Sequence, residues 1–324
     1  MLNKQVVPAP LVCVIVLNYN GIYHLDYCLP SLLATDYANY KLLLVDNASS
    51  DASLGLVEDK YPGVSIVASR KNLGWSGGNN LGIAKALELG AKYVVLANND
   101  IKVDSRWLRE AVATAETNPR IGIIGFDVLE ADGNIENVAD FVAAQRAWSE
   151  VRFLPAGNAG GMAMFVRAAL FGEIGLIDDG YFAYGEENDF QLRSEKAGCQ
   201  TVLINVPVWH YGQGSFKQVP MRAAMLQIRG KIRLLIKHGS MFAALRGGFR
   251  HVFRRLLRST PLADTAVEHR LKPSNNLLIN LGLFLHGVLW NLWFLPTTLL
   301  RRQQDNRLAR LARQRWDAND SNAQ

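Results

Sequence analysis

Short apolar runs and stretches of helical periodicity alternate along residues 11–125. The runs are rich in Val, Ile and Leu and show no alternation with polar residues, which is typical of strands buried on both faces. Helical patterns separate the runs, as expected for a parallel sheet with helices covering both faces. We predict strands at 11–17, 41–45, 64–68, 93–97 and 121–125, and helices near 23–34, 51–60, 77–90 and 104–117.

A different pattern follows residue 125. The block at about 155–216 combines glycine-rich turns with an apolar run at 161–166, a helix that begins near Glu186 and a strand at 201–206. Beyond this block, apolar residues from Met221 to Leu235 recur at steps of three and four, which predicts an amphipathic helix. A second such helix is predicted over 242–256, with an arginine stripe formed by Arg246, Arg250, Arg254 and Arg258.

Composition divides the chain into two parts. Hydrophobic residues make up 49% of the 324 residues and charged residues 20%, which excludes a disordered or acidic tail-like protein. The formal net charge of +6 conceals a split: residues 1–216 hold 16 basic and 24 acidic side chains, whereas residues 217–316 hold 19 basic and 3 acidic ones. We therefore expect the acidic part, 1–216, and the basic helical region, 217–324, to have different roles.

Cysteine use and the start of the chain bear on the cellular compartment. Cys13, Cys28 and Cys199 are too few and too widely spaced for a disulfide framework or a zinc site. The apolar run at 11–17 is short for a secretory signal and has no small-residue cleavage site after it. We expect a cytoplasmic protein.

Polar residues follow the second and fourth predicted strands, at the edge of a parallel sheet where ligands bind. Asp46 stands directly after the second run, where a carboxylate can accept hydrogen bonds from a base or a ribose. Ser50 and Asp51 suit the cap of the next helix equally well. The Asn-Asn-Asp sequence at 98–100 offers hard oxygen ligands for Mg²⁺ or Mn²⁺, although an ordinary turn would use the same residue types.

A segment rich in glycine and asparagine, 72–82, follows the third predicted strand. Its glycines allow the backbone to approach a ligand, and the N terminus of the next helix offers unpaired N–H groups to an anion. The segment matches neither the P-loop motif nor the dinucleotide-binding fingerprint. A ligand-binding loop and a plain turn are both compatible with this pattern.

Three carboxylates fall within four positions at Glu186, Glu187 and Asp189. Their mutual repulsion is expected to raise the pKa of one of them, which suits a general base. The helix dipole also favours acids in a first turn, so a purely structural role is the alternative. His210 lies between Trp209 and a glycine-rich turn and is a candidate metal or phosphate contact, although a lone histidine is more often structural.

In this order and spacing, the motifs resemble those of family 2 glycosyltransferases with the GT-A fold, in the rhamnosyltransferase-like group. The resemblance covers about residues 11–240. It is carried by residues 15–21, 45–51, 72–80, 98–100, 160–162, 186–189 and His210. It implies an α/β fold with a Rossmann-like, mostly parallel sheet flanked by helices. The expected catalytic domain, 1–216, has a nucleotide-sugar part at about 11–125 and an acceptor part at about 126–216, followed by a C-terminal basic helical extension.

The resemblance also implies residue roles. Asp46 would hold a uracil or thymine base, with Asn20 beside the nucleotide. Asp100 would bind the divalent metal, Mg²⁺ or Mn²⁺, with His210 as a further metal or diphosphate contact. Asn98 replaces the first acid of the family's Asp-x-Asp signature. The full set of expected donor-binding residues is Asn18, Asn20, Asp46, Asn47, Asn72, Gly74, Gly77, Asn79 and Asn98.

For the catalytic base, the family more often has Glu-Asp-x-Asp with the second acid in that role. Glu187 holds the position here and is one methylene longer than Asp, so Glu186 and Asp189 stay open as candidates. The implied reaction is an inverting, metal-dependent transfer from a UDP- or dTDP-sugar, with dTDP-rhamnose as one candidate. The expected acceptor is a saccharide, lipid-linked, in bacterial cell-surface polysaccharide synthesis.

Two other classes of function are compatible with parts of the pattern. A sugar-nucleotide nucleotidyltransferase has a similar sheet, but it usually has a glycine-rich loop with Arg and Lys directly after the first strand, and this chain does not. A non-catalytic membrane- or saccharide-binding module is the second alternative. Nucleic acid is not an expected partner, because no recognised binding motif accompanies the basic charge.

The stretch 277–300 has no formal charge and contains 16 Leu, Ile, Val, Phe or Trp residues, enough to span a bilayer. Basic residues flank both ends, so the charge pattern gives no orientation. A polar or small-residue stripe runs along the predicted helix, formed by Asn280, Gly287, Asn291 and Thr298, and Pro296 would kink it. We expect a helix that lies on an anionic membrane, at the inner face of the plasma membrane, or packs on the catalytic domain. A buried helix and a true span are the alternatives.

Overall fold

The computed structural model of the protein describes residues 8–130, 153–155, 159–212, 220–239 and 277–322. The strands are β1 (Val12–Asn18), β2 (Tyr40–Asp46), β3 (Ser65–Ala68), β4 (Tyr93–Asn98), β5 (Ile101–Val103), β6 (Ile121–Glu130), β7 (Phe153–Pro155), β8 (Ala163–Arg167) and β9 (Gln200–His210). The helices are α1 (Ile22–Leu33), α2 (Ser53–Lys60), α3 (Gly74–Glu88), α4 (Trp107–Thr117), α5 (Ala169–Ile174), α6 (Glu186–Lys196), α7 (Pro220–His238), α8 (Leu277–Trp293) and α9 (Leu295–Asn322). The predicted helix over 242–256 lies outside the described residues.

The other predicted elements are all present, with bounds that differ by a few residues. The hydrophobic pattern does not predict β5, β7 or α5, because elements of three to six residues are too short to show a period.

The strands form one sheet in the order β3-β2-β1-β4-β8-β6-β9-β5, with β7 added on β9. Neighbours among β3, β2, β1 and β4 run parallel, as predicted. In the other half, β8 runs antiparallel to both β4 and β6, whereas β6 and β9 are parallel. β5 and β7 pair antiparallel with opposite ends of β9. The expected parallel sheet is therefore a parallel half joined to a mixed half, because an apolar run carries no information about strand direction.

Helices bury both faces of the sheet. In β1, Val12, Val14 and Val16 belong to the same apolar cluster as Leu29 of α1 and Trp107 of α4. The intervening side chains of β1 belong to a second cluster, to which α3, α5, α6 and α9 contribute. A strand between two helical layers has no solvated side, which explains its continuous apolar pattern.

Glycines on one side of α3 allow this helix to lie close to β1 and β2. A Cβ atom at Gly82 would lie 2.6 Å from Ile15 Cγ2 and 2.9 Å from Val45 Cγ2. At Gly78 a Cβ atom would lie 2.4 Å from Leu17 Cδ1. The glycine pattern that is compatible with a ligand-binding loop thus permits helix–sheet packing at these two positions.

α8 packs along α7 through the small-residue stripe predicted from the sequence. A Cβ atom at Gly287 would lie 2.6 Å from Ile228 Cγ2, so the two helices approach closely there. Asn291 is 2% exposed, and its Nδ2 donates to the carbonyl of Arg229 at 3.1 Å. Phe284 of α8 packs in an apolar cluster with α7. The polar side of α8 therefore faces the protein.

The apolar stretch 277–300 is divided between α8 and α9, which are bent by 64° at the break between them. The break coincides with the predicted kink, since Pro296 lies in the first turn of α9, where a missing N–H is tolerated. No single helix in the described ranges is long and apolar enough to cross a membrane. The bent pair meets that test by length and composition alone.

The close approach of α3 to the sheet predicts opposite effects for two glycine substitutions. Gly82→Ala is expected to lower the free energy of unfolding by about 1–3 kcal/mol, because the added methyl overlaps β1 and β2 side chains. Gly55→Ala in α2 is the matched control, since a Cβ atom there meets nothing within 4 Å. It is expected to raise stability by about 0.5–1 kcal/mol. Urea unfolding of both variants is the measurement, and equal effects would contradict the packing argument.

Candidate active site

The carboxyl ends of β1, β2 and β4 meet at one edge of the sheet because these strands are parallel neighbours. Asn18 is in register with Asp46, and Leu17 with Asn98. Three of the residues expected to bind the donor are thus brought to adjacent positions from distant parts of the sequence. This edge is where ligands bind in open α/β sheets.

The Asp46 carboxylate is held in place by its neighbours and is 2% exposed. Asn18 Nδ2 donates to one oxygen at 3.3 Å, and the backbone N–H of Ser49 donates to the other at 3.0 Å. Asn18 Oδ1 in turn accepts a hydrogen bond from Asn99 Nδ2 at 2.7 Å. These contacts couple the ends of the three strands and fix the orientation of the carboxylate.

Asn20 adopts a left-handed backbone conformation with φ 51° in the turn between β1 and α1. Its Oδ1 accepts a hydrogen bond from the backbone of Ser50 at 2.7 Å, and its own N–H donates to Ser49 Oγ at 2.9 Å. Asp51 accepts a hydrogen bond from the backbone of Ile22 at 3.1 Å. Asn20 therefore orders the loop that follows β2, beside the carboxylate at its end.

Asn47 and Asn72 brace the segment that leads into α3. Asn47 Nδ2 donates to Asn72 Oδ1 at 3.1 Å and to the carbonyl of Gly74 at 3.0 Å. The N–H of Leu73 donates to Asn47 Oδ1 at 2.8 Å, and that of Gly74 to Asn72 Oδ1 at 2.8 Å. Both side chains are engaged with the protein, so they shape the site by fixing this segment.

The local structure accounts for Gly74, Gly77 and Asn79, through close approaches at the two glycines and a hydrogen bond within α3 at Asn79. Gly74 has φ +72°, and a Cβ atom there would lie 2.2 Å from the carbonyl oxygen of Phe182. At Gly77 a Cβ atom would lie 2.8 Å from Leu73 Cβ. Asn79 is 1% exposed and donates to the carbonyl one helical turn earlier at 2.9 Å. The donor-binding role expected of Asn79 stays a prediction, and in this conformation its side chain is buried by α3.

Asp100 and His210 meet because β5 pairs with the end of β9, which places Ile101 in register with His210. Asp100 Oδ1 lies 3.4 Å from His210 Nε2, and the carboxylate is 2% exposed. Burial alone would raise the pKa of Asp100, but His210 and His24 hold it below its ordinary value of 3.8. An ionised carboxylate beside an imidazole is a donor pair suited to a divalent cation.

These two side chains fit a metal that is also held by substrate. Among the described residues there is no group of three or more His, Cys, Asp or Glu side chains that could hold a metal ion. Mg²⁺ and Mn²⁺ sites of nucleotide-dependent enzymes commonly use one or two carboxylates together with substrate phosphates and water. The Asp100–His210 pair meets that requirement.

A cluster of aromatic side chains surrounds this pair and was not predicted from the sequence. Tyr27 lies against Trp209 with ring centroids 5.5 Å apart, and His24 lies 5.1 Å from Tyr211. His24 Nδ1 and the Tyr27 hydroxyl are 2.6 Å apart. Burial lowers the pKa of His24 and so favours its neutral form. The aromatic residues on either side of His210 are the sequence signal that could have indicated this cluster.

The turn before α6 brings the acidic segment to the ends of the strands. Tyr184 and Gly185 have φ 71° and φ 100°, so two consecutive left-handed residues precede Glu186. Upstream, the carbonyl of Phe182 accepts a hydrogen bond from the N–H of Trp75 at 2.7 Å. The indole of Trp75 donates to Asn98 Oδ1 at 3.2 Å. Trp75 thus joins the turn before α6 to the end of β4.

Glu186 and Glu187 differ in exposure. Glu186 is 4% exposed, and its Oε2 has no hydrogen-bond partner among the described residues. Glu187 is half-buried beside Gly161, where an added Cβ would lie 3.6 Å from the Glu187 side chain. Burial raises the pKa of both groups, and the neighbouring Glu187 raises that of Glu186 further. Glu187 accepts hydrogen bonds from the Gly185 N–H at 3.2 Å and from Asn188 Nδ2 at 2.9 Å, but no cation pairs with either glutamate among the described residues, so the two have the properties of an acid–base site.

Asp189 has a different environment, because basic side chains surround it. It is fully buried, with Arg193 Nε at 2.9 Å, Lys237 Nζ at 2.8 Å and His238 Nε2 at 2.8 Å. Burial would raise the pKa of Asp189, but Arg193, His238 and Lys237 hold it well below its usual range. A fully paired carboxylate with a lowered pKa is a poor base, so the environment of Asp189 favours a structural role over that of the base.

A second buried carboxylate extends this network toward the turn before α6. Asp178 is 2% exposed and accepts from Lys237 Nζ at 2.8 Å and from Arg233 Nη2 at 3.0 Å. Its pKa is lowered, because these two cations outweigh the cost of burial. The basic helical region is therefore joined to the acidic segment through α7.

Comparisons with known proteins agree with this architecture. Residues 13–170 match the profile of glycosyl transferase family 2. Over 222 residues the chain is 25% identical to N-acetylglucosaminyl-diphospho-decaprenol L-rhamnosyltransferase of Mycobacterium tuberculosis, covering 59% of this chain and 72% of that protein. It is 26% identical over 208 residues to the galactofuranosyltransferase GlfT1 of Mycolicibacterium smegmatis, covering 58% and 66%. The chain carries a family 2 glycosyltransferase domain at residues 13–170 and resembles rhamnosyltransferase-like members of that family, which favours an enzyme of this class over the two other classes of function.

Solved structures show the same fold. The mannosyltransferase PcManGT from Pyrobaculum calidifontis, in complex with GDP-Man and Mn²⁺, is 17% identical with a TM-score of 0.54, over 95% of this chain and 88% of that chain. GalNAc-T7 with UDP, GalNAc and Mn²⁺ is 12% identical with a TM-score of 0.56, over 89% and 57%. The expected GT-A fold is confirmed, and both of these neighbours were solved with Mn²⁺.

The buried network predicts that Asp189→Asn destabilises the protein. Removing the charge leaves Arg193, Lys237 and His238 without their shared carboxylate, so we expect the free energy of unfolding to fall by about 3 kcal/mol or more. Asp179→Asn is the matched control, because its carboxylate is 60% exposed and its partner among the described residues is Arg301. A loss below about 1 kcal/mol is expected there. Denaturant unfolding compares the two, and similar losses would argue against the network.

Proposed function

We propose that this enzyme transfers a sugar, with inversion, from a UDP- or dTDP-sugar to a saccharide acceptor carried on a lipid. The observation that carries the proposal is that a carboxylate suited to bind a base, a cation-binding pair and a candidate catalytic base lie at one edge of the sheet. Asp46 is positioned to accept hydrogen bonds from a base, Asp100 and His210 form a cation-binding pair, and Glu187 and Trp75 both border Gly161, with Trp75 contacting the end of β4. The role of the rhamnosyltransferase relative supports a deoxyhexose donor such as dTDP-rhamnose.

Donor binding in this proposal begins at β2. Asp46 accepts hydrogen bonds from the pyrimidine base, and Asn18 keeps its carboxylate oriented. Asp100 and His210 would hold Mg²⁺ or Mn²⁺ together with the donor diphosphate. When bound, such a cation would supply positive charge against the negative charge that develops on the departing diphosphate. The hydrogen bond from Trp75 to Asn98 fixes the turn before α6, which precedes Glu187, relative to the end of β4 on the donor side.

Glu187 is the catalytic base in this proposal. It is reachable from the cleft, whereas Glu186 is 4% exposed. Glu187 accepts the proton of the acceptor hydroxyl as that oxygen forms a bond to the anomeric carbon. The bond from the anomeric carbon to the diphosphate oxygen breaks on the opposite face, so the configuration inverts in one displacement. The raised pKa of Glu187 strengthens it as a base relative to an exposed carboxylate.

The acceptor and location complete the proposal. We assign a lipid-linked saccharide as acceptor because the rhamnosyltransferase relative is named for a diphospho-decaprenol substrate and because the last third of this chain is strongly basic. The reaction is assigned to the cytoplasmic side of the plasma membrane, in synthesis of a bacterial cell-surface polysaccharide. Cys13, Cys28 and Cys199 are buried and unpaired, which suits a reducing compartment.

Three substitutions separate the proposed roles. Asp100→Asn is expected to abolish metal-dependent donor binding and turnover, because it removes the anionic ligand. Glu187→Gln is expected to lower turnover by about a thousandfold while nucleotide binding stays intact. Glu186→Gln is the matched control and should retain more turnover than Glu187→Gln. The measurements are calorimetry with UDP- and dTDP-sugars in Mg²⁺ or Mn²⁺, and product formation on a lipid-linked acceptor.

The reverse ranking of the two glutamine variants would move the base to Glu186. Failure of the wild-type protein to bind any nucleotide sugar in the presence of metal would overturn the proposed donor chemistry.

The environment of Glu187 also predicts a pH dependence. A base acts when deprotonated, and the pKa of Glu187 lies above its ordinary value of 4.5. The rate of transfer should therefore fall as pH decreases through a midpoint above 4.5, about tenfold per pH unit below that midpoint. Single-turnover rates at saturating donor measure it. A midpoint below 4.5 would contradict the role of burial at this residue.

A further inference from the structure

α8 buries its polar side and exposes its apolar side, which is the reverse of an ordinary surface helix. Its small and polar stripe faces α7, where Gly287 and Asn291 make the contacts described above. Its outward side carries leucines at steps of three and four, which places them in one row along the helix. Their exposed fractions are 75% for Leu278, 43% for Leu281, 51% for Leu285, 63% for Leu289 and 51% for Leu292.

The exposed apolar row continues through the break into α9. Trp293 is 81% exposed and Leu300 is 66% exposed, with Phe294 and Leu299 between them also exposed. Soluble proteins rarely leave a contiguous apolar surface of this kind open to water, because exposing it is unfavourable. We call this surface, formed by the outward residues of α8 and of 294–300, the leucine face.

A cavity lined by three arginines and one aspartate lies beside the leucine face. Its volume is about 320 Å³, and its lining includes Arg229, Trp290 and Phe294. Arg229 stacks on Trp290 with 5.1 Å between the guanidinium and the ring, and its Nε donates to His286 Nε2 at 3.1 Å. Among the described residues no carboxylate pairs with Arg229, whereas the other two arginines of the cavity, Arg233 and Arg301, do have acidic partners. Arg229 thus has charge available for an anion.

We propose that the leucine face docks on an anionic phospholipid bilayer. In this arrangement the leucines and Trp293 enter the boundary of the acyl chains, and Arg229 meets a lipid phosphate at the edge of the face. The combination matches an interfacial amphipathic helix, in which apolar burial and attraction to anionic headgroups act together. The excess of 19 basic over 3 acidic residues in 217–316 complements the same negative surface.

The packing of α8 distinguishes docking from spanning. α8 has 17 residues and is about 26 Å long at 1.5 Å per residue, shorter than the roughly 30 Å of a hydrocarbon core. One of its sides is covered by α7, so lipid cannot surround it. The helix therefore lies along the membrane with only its outer side immersed.

Docking would bring the acceptor side of the site close to lipid. Gly230 of α7 contacts the turn before α6, since a Cβ atom there would lie 2.0 Å from the Tyr184 carbonyl oxygen. A bilayer on α8 is thus separated from Glu187 by one helix. This link to a lipid-linked acceptor rests on the proposed function, whereas the docking itself does not.

Co-sedimentation with lipid vesicles tests the docking. The full chain should bind vesicles of phosphatidylcholine with phosphatidylglycerol and bind phosphatidylcholine alone more weakly. The triple variant Leu285→Gln, Leu289→Gln and Trp293→Gln should lower the partition coefficient by about tenfold or more, because three exposed apolar side chains are lost. Arg229→Gln should reduce the preference for the anionic vesicles.

A second triple variant is the matched control. Leu33→Gln, Leu87→Gln and Leu311→Gln change leucines that are 42%, 40% and 42% exposed on α1, α3 and α9, outside the leucine face. This variant should bind vesicles like the wild type. Thermal unfolding and donor calorimetry of each variant confirm that fold and donor site are intact, so a failed donor site and a failed docking surface give separate readouts.

Two results would overturn the proposal. One is vesicle binding by the leucine-face variant equal to that of the wild type. The other is a wild-type protein that ignores vesicles but self-associates and becomes monomeric in the leucine-face variant, which would assign the face to a second copy of the chain.

Discussion

The ammonium group of Lys237 is the contact on which the arrangement of the catalytic segment depends. It is 1% exposed and lies 2.8 Å from Asp178, 2.8 Å from Asp189 and 2.7 Å from Asp305. The three carboxylates come from the turn before α6, from α6 itself and from α9. A buried cation requires paired anions, so α7 can occupy its position only when these three elements converge on it.

Two kinds of carboxylate in one short segment follow from this constraint. Asp189 faces the cations of α6 and α7, and its pKa is held low. Glu186 and Glu187, in the same first turn of α6, pair with no cation among the described residues, and burial raises their pKa values. The same helix therefore supplies one permanently ionised anchor and two groups able to exchange protons. Separation of these roles by local charge is what allows a structural network and an acid–base site to be adjacent.

In α8, contacts with the rest of the protein likewise decide the environment of each side of the helix: the polar side is buried and the apolar side is exposed. Contacts such as Asn291 to the carbonyl of Arg229 satisfy polar groups on the inner side, which leaves the apolar residues outside. The helix is thus held to the protein by close packing and hydrogen bonds. Its apolar surface stays available for a partner, and α7 connects that surface to the turn that carries Glu187.

Sequence alone was sufficient for the order of most elements, because strands buried on both faces produce continuous apolar runs. It was also sufficient for the residues at the ends of β1, β2 and β4, since parallel strands bring such residues to one edge. The break near Pro296 followed from the exclusion of proline from the interior of a helix. The sequence did not predict the strand directions in the second half of the sheet, because the apolar pattern of β8 is the same for a parallel and an antiparallel strand.

The tertiary structure decided what the charged and small residues do. Asp189 and Glu187 are indistinguishable as members of an acidic cluster, and only the cations contributed by Arg193, Lys237 and His238 separate their roles. Asn79 matches a donor-site motif but is buried by α3. The stripe on α8 predicted a distinct face, but not which face meets the protein. Sequence determined local conformation through periodicity and side-chain chemistry, whereas burial and charge pairing between distant segments were decided by the fold.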